Sequence, residues 1–97
     1  MKYHFKIHKE GKHFWAQCVE LEGCITQGTS LKDLRKNMQE ALNLYVQEPE
    51  SSKDLAALPD ESIRRSKSIE EVSLDPQIAF SFMVRYYRIK YGMTQHQ

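Results

Sequence analysis

Apolar and polar residues alternate with period two from Lys2 to Val19, the mark of half-buried β-strands. A two-residue loop at Glu10-Gly11 would pair residues whose numbers sum to 21. Ile7 then faces Phe14, Phe5 faces Ala16 and Tyr3 faces Cys18 on one side of the hairpin. His8 faces His13, Lys6 faces Trp15 and His4 faces Gln17 on the other. A slip of one residue would exchange the faces of a whole strand, so a register that satisfies both faces selects the hairpin. Cys24 to Gln27 is long enough for a third strand, which Gly28 ends.

The period then changes to that of a helix. Ser30 is placed to cap it with Asp33 three residues on, and Leu31, Leu34, Met38, Ala41, Leu42 and Tyr45 fall on one face, with Pro49 as the stop. Such a stripe after three antiparallel strands packs on the sheet as core. Residues 48–68 are rich in Ser, Glu, Lys and Pro and read as a mobile loop with a helical turn near Lys53 to Leu58. A fourth strand is expected from Ile69 to Leu74, and Asp75-Pro76 opens a last helix that runs to Tyr91. The fold class is therefore α+β: a three- to four-stranded, mainly antiparallel sheet with one helix packed on it, in the order β-β-β-α-β, plus a C-terminal helix. Residues 1–75 form the sheet domain and 76–97 a separate helical element.

The stretch Val19-Glu20-Leu21-Glu22-Gly23-Cys24-Ile25-Thr26-Gln27-Gly28-Thr29-Ser30-Leu31 joins a strand, a Gly turn, a second strand and a helix start. It resembles the HicB-type antitoxin family, in which a hairpin runs through a Pro-x-Leu-Pro-Gly-Cys turn into a Gly-Thr/Ser helix start. Leu21, Gly23, Cys24, Gly28 and Thr29-Ser30 match, while Val19 and Glu22 stand where prolines are usual. The resemblance covers Met1 to about Val46 and Ile69 to Gln95. It implies a partial ribonuclease-H-like fold without nuclease activity. The run from Ile78-Ala79-Phe80 through Met83-Val84-Arg85-Tyr86-Tyr87-Arg88 to Tyr91-Gly92-Met93-Thr94-Gln95 further resembles the linker and first helix of a phage-repressor helix-turn-helix domain. There Gly92 would close the first helix and Thr94 cap the second. With the sequence ending at Gln97, the recognition helix is missing and specific DNA binding is not expected.

On a helical wheel, Gln77, Ser81, Arg85 and Arg88 share a narrow polar wedge. Ile78, Phe82, Tyr86 and Ile89 occupy one apolar side, and Phe80, Val84, Tyr87 and Tyr91 another. A small sheet can cover one side only, so the other reads as a self-association surface, a partner-binding surface or the stump of a truncated DNA-binding domain. The candidate oligomer or partner interface is Phe80, Phe82, Met83, Val84, Tyr86, Tyr87 and Tyr91.

Fourteen basic and thirteen acidic residues in a 97-residue chain give a net charge of +1, which supplies no general field for a phosphate backbone. No window reaches the roughly 18 consecutive apolar residues of a membrane span, and Met1 to Lys6 alternates instead of forming a signal-peptide core, so a cytoplasmic location is expected. Cys18 and Cys24 read as two packed thiols in preference to a bridge or metal site.

The basic polar face of the first strand, with Lys2, His4, Lys6 and His8, repels metal ions and argues against a two-metal nuclease; that class survives only if Glu20, Glu22 and Asp33 converge near the turn. His4 and His8 are about 13 Å apart along a strand and read as solvated. No catalytic residue, metal ligand or cofactor is assigned. Lys6, His8, His13 and Trp15 form a candidate polar contact face, with Lys6 over the Trp15 indole as a cation–π pair worth about 0.5–1 kcal/mol.

The resemblance implies a non-enzymatic antitoxin of a type II toxin–antitoxin system whose partner is a HicA-type mRNA-cleaving toxin, together with self-association. The alternative is a stand-alone homo-oligomeric HicB-like module or a degenerate transcription regulator without a toxin.

Overall fold

The computed structural model describes residues 1–47 and 56–92. The chain runs β1 (Lys2–Glu10), β2 (His13–Cys18), β3 (Ile25–Gly28), α1 (Leu31–Val46), β4 (Ile69–Ser73) and α2 (Pro76–Tyr91). The four strands form one sheet in the order β3-β2-β1-β4, every neighbouring pair antiparallel. The α+β class, the helix on the sheet and the C-terminal helix are as the sequence predicts.

The hairpin register differs from the expected one. Phe5 pairs with Cys18, Ile7 with Ala16, His8 with Trp15 and Glu10 with His13, so the loop is Gly11-Lys12. Gly11 has φ 61° and Lys12 has no positive φ. A turn with left-handed backbone at its first central position alone is of type II′, which wants Gly first; a Glu10-Gly11 loop would put it second. Partners move by two residues, so both faces survive, but the cross-strand pairs change. Lys6 sits opposite Gln17, and Trp15 belongs to His8.

At the second turn, the Cys24 N–H donates to the Leu21 carbonyl at 3.2 Å and Gly23 has φ 84°. Glu22 has no positive φ, so this is a type II turn, with Gly at the position that requires it. Gly28 answers a different need. A Cβ there would lie 2.6 Å from the Leu34 nitrogen and 2.8 Å from its Cα, so the backbone of β3 meets α1 where no side chain fits.

The helix starts as its cap predicts. Ser30 Oγ accepts the Asp33 N–H at 3.1 Å, and Asp33 Oδ2 takes the Thr29 N–H at 3.0 Å. Leu34, Met38, Leu42 and Val46 are buried against Tyr3, Phe5, Ala16, Cys18, Leu21, Cys24, Val72, Leu74 and Phe82. Leu31 is exposed and outside this core. Either side of Met38, α1 reaches both edges of the sheet. The Asn37 amide donates to the Gln27 carbonyl of β3 at 2.7 Å, and the Gln39 amide to the Ser73 carbonyl of β4. Each occupies an edge carbonyl that would otherwise offer itself to another strand.

Residues 56–68 hold neither helix nor strand, yet they are tied to the sheet. Tyr3 Oη donates to the Ala57 carbonyl at 2.7 Å, and Ile7 N–H to the Ser68 carbonyl at 2.6 Å. Residues 53–55 of the helical turn expected near Lys53 to Leu58 lie outside the described residues, as do Pro49 and Thr94. At the far end Gly92, with φ 69°, closes α2 in the left-handed conformation expected of a C-terminal glycine.

Candidate functional site

The two faces of α2 differ sharply. Phe82 is 2% exposed and belongs to the core, with Ile78, Ala79, Met83 and Tyr86 packed against it. Phe80 (72%), Val84 (40%), Tyr87 (45%) and Tyr91 (61%) face solvent. The anticipated interface set therefore divides: Phe82 serves the core of this chain, Met83 and Tyr86 line its boundary, and the other four form a bare stripe. Along that stripe Tyr87 and Tyr91 stack with centroids 5.7 Å apart and planes at 10°. Lys90 Nζ lies 5.9 Å above the Tyr91 ring and 5.4 Å above Tyr86. Its hydrogen bond to Tyr86 Oη, at 3.4 Å, raises the ammonium pKa above the ordinary lysine range.

Arg85 lies on the polar wedge of the wheel but is not a free surface cation. Its Nη2 donates to the Val46 carbonyl at 3.0 Å, closing the last turn of α1, which has no basic residue of its own there. The guanidinium also lies 5.7 Å from the Phe82 ring. Beside it runs a groove of about 550 Å³ between the end of α1 and α2, whose lining includes Phe80, Val84, Arg85 and Arg88.

On the opposite side of the hairpin, His8 and Trp15 stack with centroids 4.1 Å apart and planes at 16°. Trp15 Nε1 donates to Glu10 Oε1 at 3.2 Å. The anticipated Lys6–Trp15 pair is thus replaced by a His8–Trp15 pair, because the II′ turn shifted the register. Lys6 and His13 are exposed, and with Ile25, 57% exposed, they bound a shallow aromatic surface.

The largest departure from the sequence reading is His4. It is 2% exposed, not solvated. Its Nδ1 lies 2.7 Å from Glu20 Oε2, its backbone N–H donates to Glu20 Oε1 at 2.9 Å, and its Nε2 is 3.7 Å from Glu71 Oε2. Glu20, itself 3% exposed at the side chain, also accepts the Asp60 N–H at 3.1 Å and the Cys18 thiol at 3.7 Å. This carboxylate fastens β1, the end of β2 and residues near 60 to one point. Nothing in local spacing signals it, since its partners lie 16 and 40 residues away.

The carboxylates proposed to converge for a nuclease do not do so. Glu20 is committed to His4, Asp33 to Thr29, and Glu22 is exposed. Among the described residues no three His, Cys, Asp or Glu side chains are grouped to hold a metal ion. No helix among them is long and apolar enough to cross a membrane.

No family model matches the chain. No curated protein matches it either. Among solved structures, a chain of a complex described as "HicA3 and HicB3 toxin-antitoxin complex" superposes with a TM-score of 0.65 at 22% identity, over 78% of this chain and 100% of the other. At that identity the likeness establishes a shared fold, that of a chain found in a toxin–antitoxin assembly.

Proposed function

We propose that this chain is a non-enzymatic, antitoxin-like protein that binds and masks a small HicA-type mRNA-cleaving toxin. The observation that carries the reading is the fold shared with a chain of a HicA3–HicB3 complex along that chain's whole length. It agrees with the resemblance carried by Leu21, Gly23, Cys24, Gly28 and Thr29-Ser30. The direct test is to look for a small basic reading frame beside its gene and to co-express its product with this chain. Growth arrest by that frame alone, relieved by this chain, with the two proteins co-purifying, is the expected result. A neighbour that is harmless, or whose RNA cleavage continues in the presence of excess chain, would count decisively against it.

The exposed stripe on α2 favours a second element of the same reading, self-association. Burying a large apolar side chain contributes about 1.5–3 kcal/mol. Scaled by the exposure of Phe80, Val84, Tyr87 and Tyr91, two copies gain about 7–13 kcal/mol. That is comparable to the roughly 4–15 kcal/mol cost of association. The expectation is a reversible dimer, which light scattering at tens of micromolar should detect and which Phe80→Asp with Tyr87→Asp should dissolve. A wild-type chain that stays monomeric would remove this element while leaving the toxin reading intact. The His8–Trp15 face, with Lys6 and His13, is assigned to polar contacts with the partner.

A further inference from the structure

Cys18 and Cys24 stand one residue beyond Gln17 and Ile25, the last pair of the β2–β3 ladder. The Cys18 N–H donates to the Cys24 carbonyl at 2.9 Å, while the Cys24 N–H turns back to the Leu21 carbonyl, so one backbone hydrogen bond joins the two residues. Opposed residues of an antiparallel pair have Cα atoms about 4.5–5.5 Å apart, inside the roughly 4.4–6.8 Å range that a disulfide spans. Both thiols are free and buried, at 5% and 3% exposure. The Cys18 thiol donates to Glu20 Oε1 at 3.7 Å. The five residues between them, Val19 to Gly23, include the type II turn with its exposed Glu22 and Gly23.

We propose that Cys18 and Cys24 form a reversible redox pair, converted by a hydroperoxide to an intramolecular disulfide at the base of the Gly23 turn. The two cysteines have different roles. The neighbouring Cys18 thiol lowers the pKa of Cys24 below the ordinary thiol value, whereas Cys24 and then burial push that of Cys18 up. The Glu20 carboxylate, 3.7 Å from Cys18 Sγ, disfavours a thiolate there, so Cys24 is the sulfur that ionises and attacks when the turn opens. Its thiolate displaces one peroxide oxygen, giving Cys24 sulfenic acid and, after proton uptake, water or an alcohol. Cys18 sulfur then attacks the Cys24 sulfur; the S–S bond forms as hydroxide leaves, and the Cys18 proton passes by way of the adjacent Glu20 carboxylate to make water. Two thiols are oxidised and one peroxide bond is reduced. A dithiol returns the pair to the reduced state.

The test uses the full chain, reduced, freed of thiol and exposed to graded hydrogen peroxide. It is then unfolded, alkylated with N-ethylmaleimide and weighed by intact mass spectrometry. The expected product has lost two hydrogens, takes up no maleimide, migrates as a single chain without reductant, and yields a Cys18–Cys24 linked peptide that dithiothreitol abolishes. In Cys18→Ser the Cys24 sulfenic acid should persist and be trapped by dimedone. Three outcomes would each overturn the proposal: both thiols still alkylated at peroxide levels that oxidise free cysteine, over-oxidation of one sulfur with the other free, or a bridge between two chains. The wild-type mass decides the matter even if the variant fails to fold.

Discussion

Replacing Gly28 with Ala sets two effects of opposite sign against each other. Gly28 is not one of the glycines with positive φ, so Ala meets no backbone strain there. Restricting the unfolded chain would by itself stabilise the protein by about 0.4–1 kcal/mol. Against this, the new methyl carbon would sit 2.6 Å from Leu34 N, 2.8 Å from Leu34 Cα and 3.1 Å from Leu34 Cβ. Two of these atoms are helix backbone, held by the Leu34 N–H to Ser30 carbonyl bond at 2.8 Å and by the burial of Leu34, so they cannot rotate away. The helix must move back from β3 and loosen the seam of Leu34, Met38 and Leu42. Forcing a methyl into a packed core costs about 1–3 kcal/mol, so the clash outweighs the entropy term and the variant is destabilised. At about 4–8 °C per kcal/mol for a domain of this size, thermal unfolding followed by circular dichroism should drop by about 5–15 °C. Unchanged or raised thermal stability in Gly28→Ala would refute the close approach of β3 and α1.

Three further outcomes follow from the same geometry. Glu20→Ala leaves the buried His4 ring and two backbone N–H groups without their acceptor and should lower urea-unfolding stability by about 3–5 kcal/mol; a loss under 1 kcal/mol would mean that Glu20 does not anchor residues near 60. Glu22→Pro places proline at the position of the type II turn that favours it and should raise stability by about 0.4–1 kcal/mol, which a fall in the denaturation midpoint would contradict. Burial, followed by the neighbouring Cys18 and Glu20, raises the Tyr3 phenol above its ordinary value of 10.0, so the neutral form is favoured in the fold. Its contribution is complete below pH 10 and is lost as pH rises above it, because the unfolded chain ionises first. Tyr3→Phe should therefore cost about 0.5–1.5 kcal/mol at neutral pH through the lost Ala57 bond, yet flatten the alkaline decline; an identical decline in both proteins would remove Tyr3 as its cause.

Local periodicity and capping chemistry are written in neighbouring residues, and they determined much of this protein. The alternation of β1 and β2, the Ser30–Asp33 cap, the stripe through Leu34, Met38 and Leu42, the Asp75-Pro76 start and the Gly92 stop are all contained within a few positions of the chain. The wheel of α2 likewise assigned its two apolar sides before packing was known, since 3.6-residue periodicity alone separates Phe82 from Phe80. What the tertiary structure decided depends on distance through space. The II′ turn moved the register by two, and so exchanged Lys6 for His8 as the Trp15 partner. His4, polar and placed where a strand face meets water, became buried because Glu20, 16 residues from it, bonds its ring and itself holds the Asp60 backbone, 40 residues further on. Arg85, read as part of a polar wedge, became the cap of another helix because the end of α1 carries an unsatisfied carbonyl and no cation of its own. A polar side chain is assigned to solvent by pattern until a fold supplies its partner, and only long-range packing supplies one.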